Sequence, residues 1–199
     1  MAAAHPLAAE AGVRVLRAGG SALDAAIAAQ MVLTLVEPQS SGIGGGAFLL
    51  HHDGRSVEAW DGRETAPAGV NERLLLGADG KPLPFHDAAV GGRAVGTPGV
   101  VRMLEAAHRR HGRLPWAELF QPAIQWAESG FPVGPRLHAL LRADPHLKTD
   151  PVSAAYFYQA DGNPWPVGHR LRNPELAATL RRLAAEGSRA LHEGDLAQA

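Results

Sequence analysis

The chain contains no cysteine, which excludes a disulfide, a thiolate metal site and a cysteine nucleophile, and leaves the redox compartment open. A surplus of one charge is lacking too. Nineteen Lys and Arg against twenty Asp and Glu give a formal net charge of −1, so no long-range field would gather nucleic acid or an anionic membrane surface. Nearly all the basic residues are arginine and alanine is abundant, a bias that reads as coding preference before any nucleic-acid surface. No apolar run approaches the ~18 residues of a membrane span. The opening MAAAHPLAAEAG has no basic stretch followed by an apolar one, the pattern of an export signal. The expectation is a soluble chain with no membrane span and an open localisation.

What is present is ordinary for a globular chain: 199 residues, 46% hydrophobic and 20% charged, enough for one domain with a sizeable core. Apolar residues recur at helical spacing over residues 6–18 and stop at Gly19-Gly20. Ser21 followed three residues later by Asp24 has the form of a capping box, opening a largely buried apolar helix that Glu37-Pro38 ends. The strand-like runs AFLLHH and RSVEAW flank Asp53-Gly54, a pair favoured in type I′ turns, and predict a β-hairpin over residues 47–60. Residues 61–97 are rich in Gly and Pro and read as irregular with at most one short helix. Thr97-Pro98 predicts the capped start of a helix ending at Gly112. Further helices are expected over residues 115–129 and 174–186, the latter capped by Asn173. Between them, GPRLHALLRADPH predicts a short helix, and DPVSAAYFYQADGNPWPVG a packed loop. HEGDLAQA has the look of a helix start. No repeat, linker or domain boundary is visible.

Among motifs that could carry chemistry, SGIGGGA over residues 41–47 formally contains a dinucleotide-binding pattern. That pattern should follow a strand and open a helix, whereas here a helix precedes and a strand follows. Close backbone packing, against a ligand or another segment, is the better physical explanation of the glycines. Ten histidines invite a metal site, but His51-His52 point to opposite faces of a strand, and the pair His108 and His111 lacks the Glu of the HExxH helix. Asp144 with His146 adds no third ligand. No metal and no cofactor is expected. A nucleophilic serine is rejected, since no G-x-S-x-G elbow occurs and Ser40-Ser41 precede a glycine loop. The segment Asp61-Gly62-Arg63-Glu64-Thr65-Ala66-Pro67 lies where a strand gives way to loop, a common place for binding residues. Arg63 there would present a rigid fork suited to a carboxylate, and Glu64 could orient it or bind an amine. A salt-bridged surface Arg is the competing reading.

Taken together, HPLAAEAGVRVLRAGGSALDAAIAAQMVLTLVEPQSSGIGGGAFLL, DGRETAP, AVGTPGV, HGRLPW, PAIQWAESGFPV and NPELAATLRRLAAEG resemble the γ-glutamyltranspeptidases in the family's order. The resemblance covers nearly the whole chain and implies an α+β fold, part of the αββα sandwich of an N-terminal nucleophile hydrolase. Residues 1–199 would then form a single partial domain, the N-terminal region of a large subunit made from a self-cleaving precursor. In such enzymes a threonine exposed at the small subunit's N-terminus attacks the γ-glutamyl carbonyl, its own α-amine acting as general base. Backbone donors of the small subunit stabilise the oxyanion. No matching T-T-H segment occurs here; Thr34, Thr65, Thr97, Thr149 and Thr179 lie inside other motifs or helices, so this chain is expected to hold no catalytic nucleophile. The chain also looks clipped at both ends.

The resemblance assigns Arg63 to the α-carboxylate of a γ-glutamyl substrate such as glutathione, with Glu64 in support, and makes SGIGGG a packing element. The implied partner is the missing C-terminal portion or small subunit, with self-association as a consequence of its absence. A related acylase or amidohydrolase, and a noncatalytic truncated homologue, are the rival readings. SGIGGG favours the transpeptidase branch, because acylase-like relatives often carry an acidic residue in place of the final glycine.

Overall fold

The computed structural model describes residues 1–198. Its order is α1 (Pro6–Arg17), α2 (Ala22–Val36), β1 (Ala47–His52), β2 (Val57–Gly62), α3 (Phe85–Ala89), α4 (Val100–His111), α5 (Gln121–Ser129), β3 (Phe131–Pro132), α6 (Pro135–Ala143), α7 (Pro151–Phe157), β4 (Arg170–Leu171), α8 (Pro174–Glu186), α9 (Arg189–His192) and α10 (Asp195–Gln198), with short 3₁₀ turns between some of them. The class is α+β with helices dominant, as expected. The predicted helix start near the C-terminus is present as α10; Ala199 lies outside the described residues.

Helix α2 is the centre of the core, with eleven of its fifteen residues buried. It packs against α1, α4, α5 and the 3₁₀ turn Trp116–Phe120. The alanines explain how so many neighbours fit: Ala8 and Ala11 of α1 meet a helix carrying Ala25, Ala28 and Ala29, all buried, and small side chains let backbones approach. Larger residues on its remaining faces, Ile27, Met31 and Val32, are fully buried; each such side chain contributes about 1.5–3 kcal/mol. Helix α8 closes the far side over α5.

The capping box forms as predicted. Ser21 Oγ accepts the Asp24 N–H at 3.1 Å, and Asp24 Oδ2 accepts the Ser21 N–H at 2.8 Å. Asn173 likewise caps α8, accepting the Leu176 N–H at 2.9 Å, and Gly187 ends that helix at φ +71°, where an L side chain is strained.

Four expectations are corrected. The β1–β2 connection is a four-residue loop, residues 53–56, not a type I′ pair: that turn needs positive φ at both central residues, and only Gly54, at φ +98°, has it. Asp53 instead folds the loop by accepting the Arg55 and Ser56 N–H groups, each at 2.8 Å. Helix α4 begins at Val100 with Gly99 as its cap, because Thr97 is committed to a backbone bridge with Thr65. The helix expected over residues 115–129 is split into a 3₁₀ turn and α5, since Pro122 lacks an N–H and its ring opposes the carbonyl four residues earlier. The loop expected after Asp150 contains α7, capped by Asp150 Oδ2 on the Ser153 N–H at 2.8 Å.

The β1–β2 hairpin is antiparallel, with Leu49 opposite Trp60 and Leu50 opposite Ala59. One face, including Leu49 and Trp60, packs on the core while β2 lies against α4. The opposite face is bare: Phe48, Leu50 and Val57 are 67%, 73% and 65% exposed. A hairpin covered by helices on one side only is part of the α and β layers of the expected sandwich.

Candidate functional site

The strand-end segment after Gly62 is built by glycines from two distant stretches. A side chain at Gly46 would place its Cβ 2.7 Å from both Arg63 Cα and the Glu64 nitrogen. One at Gly96 would lie 2.8 Å from Glu64 Cβ, and one at Gly99 would collide with the carbonyl oxygen of Gly62. Gly62 itself is buried with Met103 against it; a Cβ there would sit 2.5 Å from that of Met103. Only hydrogen in place of a side chain permits backbones this near. Hydrogen bonds complete the junction. The Gly99 and Val100 N–H groups both donate to the Gly45 carbonyl at 3.1 Å, and the Thr97 N–H donates to the Thr65 carbonyl at 2.8 Å. The last two glycines of SGIGGG are therefore packing residues here, lying against the exit of β2.

From this junction Arg63 and Glu64 project into solvent. Asp61 Oδ1 accepts the Arg63 backbone N–H at 2.9 Å, which turns the chain as β2 ends. Among the described residues no ion pair engages the Arg63 guanidinium. The Glu64 carboxylate lies along Gly45 and Gly46. Arg63 separates two hollows. The larger, about 510 Å³, is lined by Arg63, Glu64, Val70, Leu74, Phe85 and Arg93 among others, and Arg93 is anchored by donating to the Leu74 carbonyl at 2.8 Å. The other, about 320 Å³, includes Asp61, Arg63, Arg102 and His192. An unpaired guanidinium between two solvent-open hollows can receive an anionic group through two parallel hydrogen bonds.

The other candidates are dispersed. His51 stacks on His111 with centroids 4.0 Å apart, while His52 points away on the opposite face. The His111 imidazole donates to Glu58 at 3.0 Å, and that bond, with Arg110 nearby, holds the Glu58 carboxyl below its usual range. His108 donates to the Leu114 carbonyl at 2.9 Å. No group of three metal-ligating side chains occurs among the described residues, and no described helix is long and apolar enough to cross a membrane. The hydroxyls of Thr34, Thr149 and Thr179 each donate to a backbone carbonyl, and Thr65 and Thr97 form the bridge beside Arg63.

Arg63 and Glu64 are the sequence's candidates, and what holds them in place was not visible there. Asp61 was visible only as part of a string, and nothing in one sequence pairs Gly46 with Arg63 or Gly96 with Glu64.

The family model described as gamma-glutamyltranspeptidase matches residues 8–199. The chain belongs to the γ-glutamyltranspeptidase family. It is similar to the glutathione hydrolase proenzyme of Bacillus subtilis (strain 168), 38% identical over 200 residues, covering 100% of this chain and 34% of that protein. The chain thus spans about a third of the length of the curated relatives it matches. Among solved structures, the Helicobacter pylori γ-glutamyltranspeptidase superposes with a TM-score of 0.92 at 32% identity, covering 99% of this chain and 57% of that one. A cephalosporin acylase from Bacillus halodurans does so with 0.86 at 34% identity, over 98% of this chain and 37% of that one. The recognition made from the compound signature is correct, and with it the fold class.

Proposed function

We propose that residues 1–199 form the N-terminal part of a γ-glutamyltranspeptidase large subunit, a single partial domain. It holds the α-carboxylate of γ-glutamyl amides such as glutathione at Arg63. The observation that carries this is the Arg63 guanidinium, exposed and without a carboxylate partner among the described residues, on a backbone packed by glycines from two segments. Clamped backbone with a free fork is the arrangement a carboxylate receptor needs, because little ordering remains to be done on binding. Glu64 has the supporting part, its stem packed at Gly96 and its carboxylate beside Gly46.

The chemistry belongs to a C-terminal portion that supplies the N-terminal threonine. Its hydroxyl adds to the γ-carbonyl while the α-amine takes the proton, and the amine leaving group departs with that proton. Water or an acceptor amine then takes the γ-glutamyl group from the acyl-enzyme. In this reaction Arg63 positions the donor, and the 199-residue chain alone is inactive.

The likeness to a cephalosporin acylase favours a second reading, in which the same scaffold serves another amide. The test is release from a γ-glutamyl anilide, measured for the purified chain, for a precursor joining it to the C-terminal portion, and against a non-glutamyl amide. Release by the precursor alone, confined to the γ-glutamyl substrate, is expected. Steady release by the isolated chain would contradict the proposal, and preference for the non-glutamyl amide would favour the acylase reading.

A further inference from the structure

We propose that Asp61 is the positioning residue for Arg63 in donor binding; this rests on the assignment of Arg63 to the α-carboxylate. Asp61 stands at the last exposed position of β2, opposite Phe48 in the register. Aspartate is poorly suited to a strand, and a residue that breaks a local rule without a packing gain is expected to serve a site. Its side chain makes no ion pair among the described residues and is exposed. Its one hydrogen bond runs from Oδ1 to the backbone N–H of Arg63, at 2.9 Å.

That bond completes a restraint the glycines leave unfinished. Gly46 bears on Arg63 Cα and the Glu64 nitrogen, and Gly99 bears on the carbonyl oxygens of Gly62 and Arg63. The Thr65–Thr97 bridge holds the chain two residues on. These contacts set where the backbone lies. The Arg63 N–H belongs to the same planar peptide as the Gly62 carbonyl, so Asp61 holds at its nitrogen end the peptide that Gly99 packs at its oxygen end, and removing Asp61 leaves that N–H without an acceptor. Because a guanidinium forms its two parallel bonds only in one plane, a rotated Arg63 keeps its charge near the carboxylate but loses the fork. Asp61 is thus a hydrogen-bond acceptor first, and its charge is secondary.

The test uses the full-length precursor and two substrates, a γ-glutamyl anilide and the same amide lacking the α-carboxylate. Asp61→Ala should raise KM for the first roughly two- to tenfold, the range for one lost net hydrogen bond, with kcat and self-cleavage nearly unchanged. It should leave the second substrate unaffected. Asp61→Asn, which keeps an Oδ1 acceptor, should restore KM. An Asp61→Asn as impaired as Asp61→Ala would show that the charge touches substrate and overturn the positioning role. Equal losses on both substrates with a lowered Tm would make Asp61 merely structural. Arg63→Lys run in parallel separates the two claims: if it impairs use of the first substrate while Asp61→Ala does not, this inference fails alone. If Arg63→Lys has no effect, the assignment of Arg63 fails and Asp61 with it.

Discussion

Asp24 Oδ2 accepts the backbone N–H of Arg113 at 2.9 Å, tying the first turn of α2 to the chain leaving α4 across 89 residues. The same oxygen accepts the N–H groups of Ser21 and Leu114, and His108 Nε2 lies 3.5 Å from Oδ1. The side chain is fully buried. Asp24→Ala would leave three donors without their acceptor, and stability should fall by about 3 kcal/mol. Asp24→Asn, which retains an oxygen, should lose less. Urea unfolding of the two variants checks both the size and the order.

The Glu105 carboxylate accepts the Ser188 N–H at 2.8 Å and pairs with Arg109 at 2.5 Å, joining α4 to the turn before α9. Burial raises its pKa, but the Ser188 bonds and Arg109 outweigh this, so the net shift is downward. A carboxyl lowered in the folded state stabilises fully above its unfolded pKa and loses that contribution as pH falls through the folded one. Glu105→Gln should therefore lower Tm at neutral pH, and the gap to the parent should close in acid, below the ordinary carboxylate range. A gap that widens in acid would reverse the assignment.

Within SGIGGG two glycines should behave oppositely. A Cβ at Gly46 meets the backbone of Arg63 and Glu64, whereas one at Gly44 meets nothing within 4 Å. Gly46→Ala should cost about 1–3 kcal/mol through overpacking. Gly44→Ala should be neutral or stabilising by up to about 1 kcal/mol, since it restricts the unfolded chain. Denaturant midpoints of the pair decide whether the string is a packing element.

The bare face of the hairpin carries Phe48 and Leu50 on β1 and Val57, opposite His52, on β2. An exposed apolar patch of this kind on an open sheet promotes association. The isolated chain should associate with rising concentration in sedimentation and bind an apolar dye, and Phe48→Ser with Leu50→Ser should reduce both. A monodisperse, dye-silent parent would contradict this.

Much of the fold was legible because its signals are local. Ser21 with Asp24, and the Asn173-Pro174 cap, are read from neighbours a few residues apart, and the structure uses them as expected. The helix α7 was legible by the same rule, since Asp150-Pro151 repeats the cap-then-proline form of Asn173-Pro174, but the aromatic and turn residues after it masked the signal. What a single sequence did not contain was long-range competition. Thr97 looks like a helix cap until Thr65 claims its backbone; the Asp53-Gly54 turn failed for a local reason, the Asp53 side chain closing a longer loop on Arg55 and Ser56. At the candidate site, Arg63 was proposed from its place at a strand end. Its backbone is packed by Gly46 and Gly99, and that of its neighbour Glu64 by Gly46 and Gly96, contacts that exist only in the folded chain.

The most direct measurement is kcat/KM of Arg63→Lys in the full-length precursor, for a γ-glutamyl anilide and for the same amide without its α-carboxylate. Lysine keeps the charge but loses the fork, and a lost charge-assisted hydrogen bond costs about 1.5–3 kcal/mol, or roughly ten- to hundredfold. Self-cleavage should proceed, kcat/KM for the first substrate should fall by that factor, and the second substrate should be nearly unaffected. Equal losses on both substrates would contradict the account and make Arg63 a structural residue of the strand end.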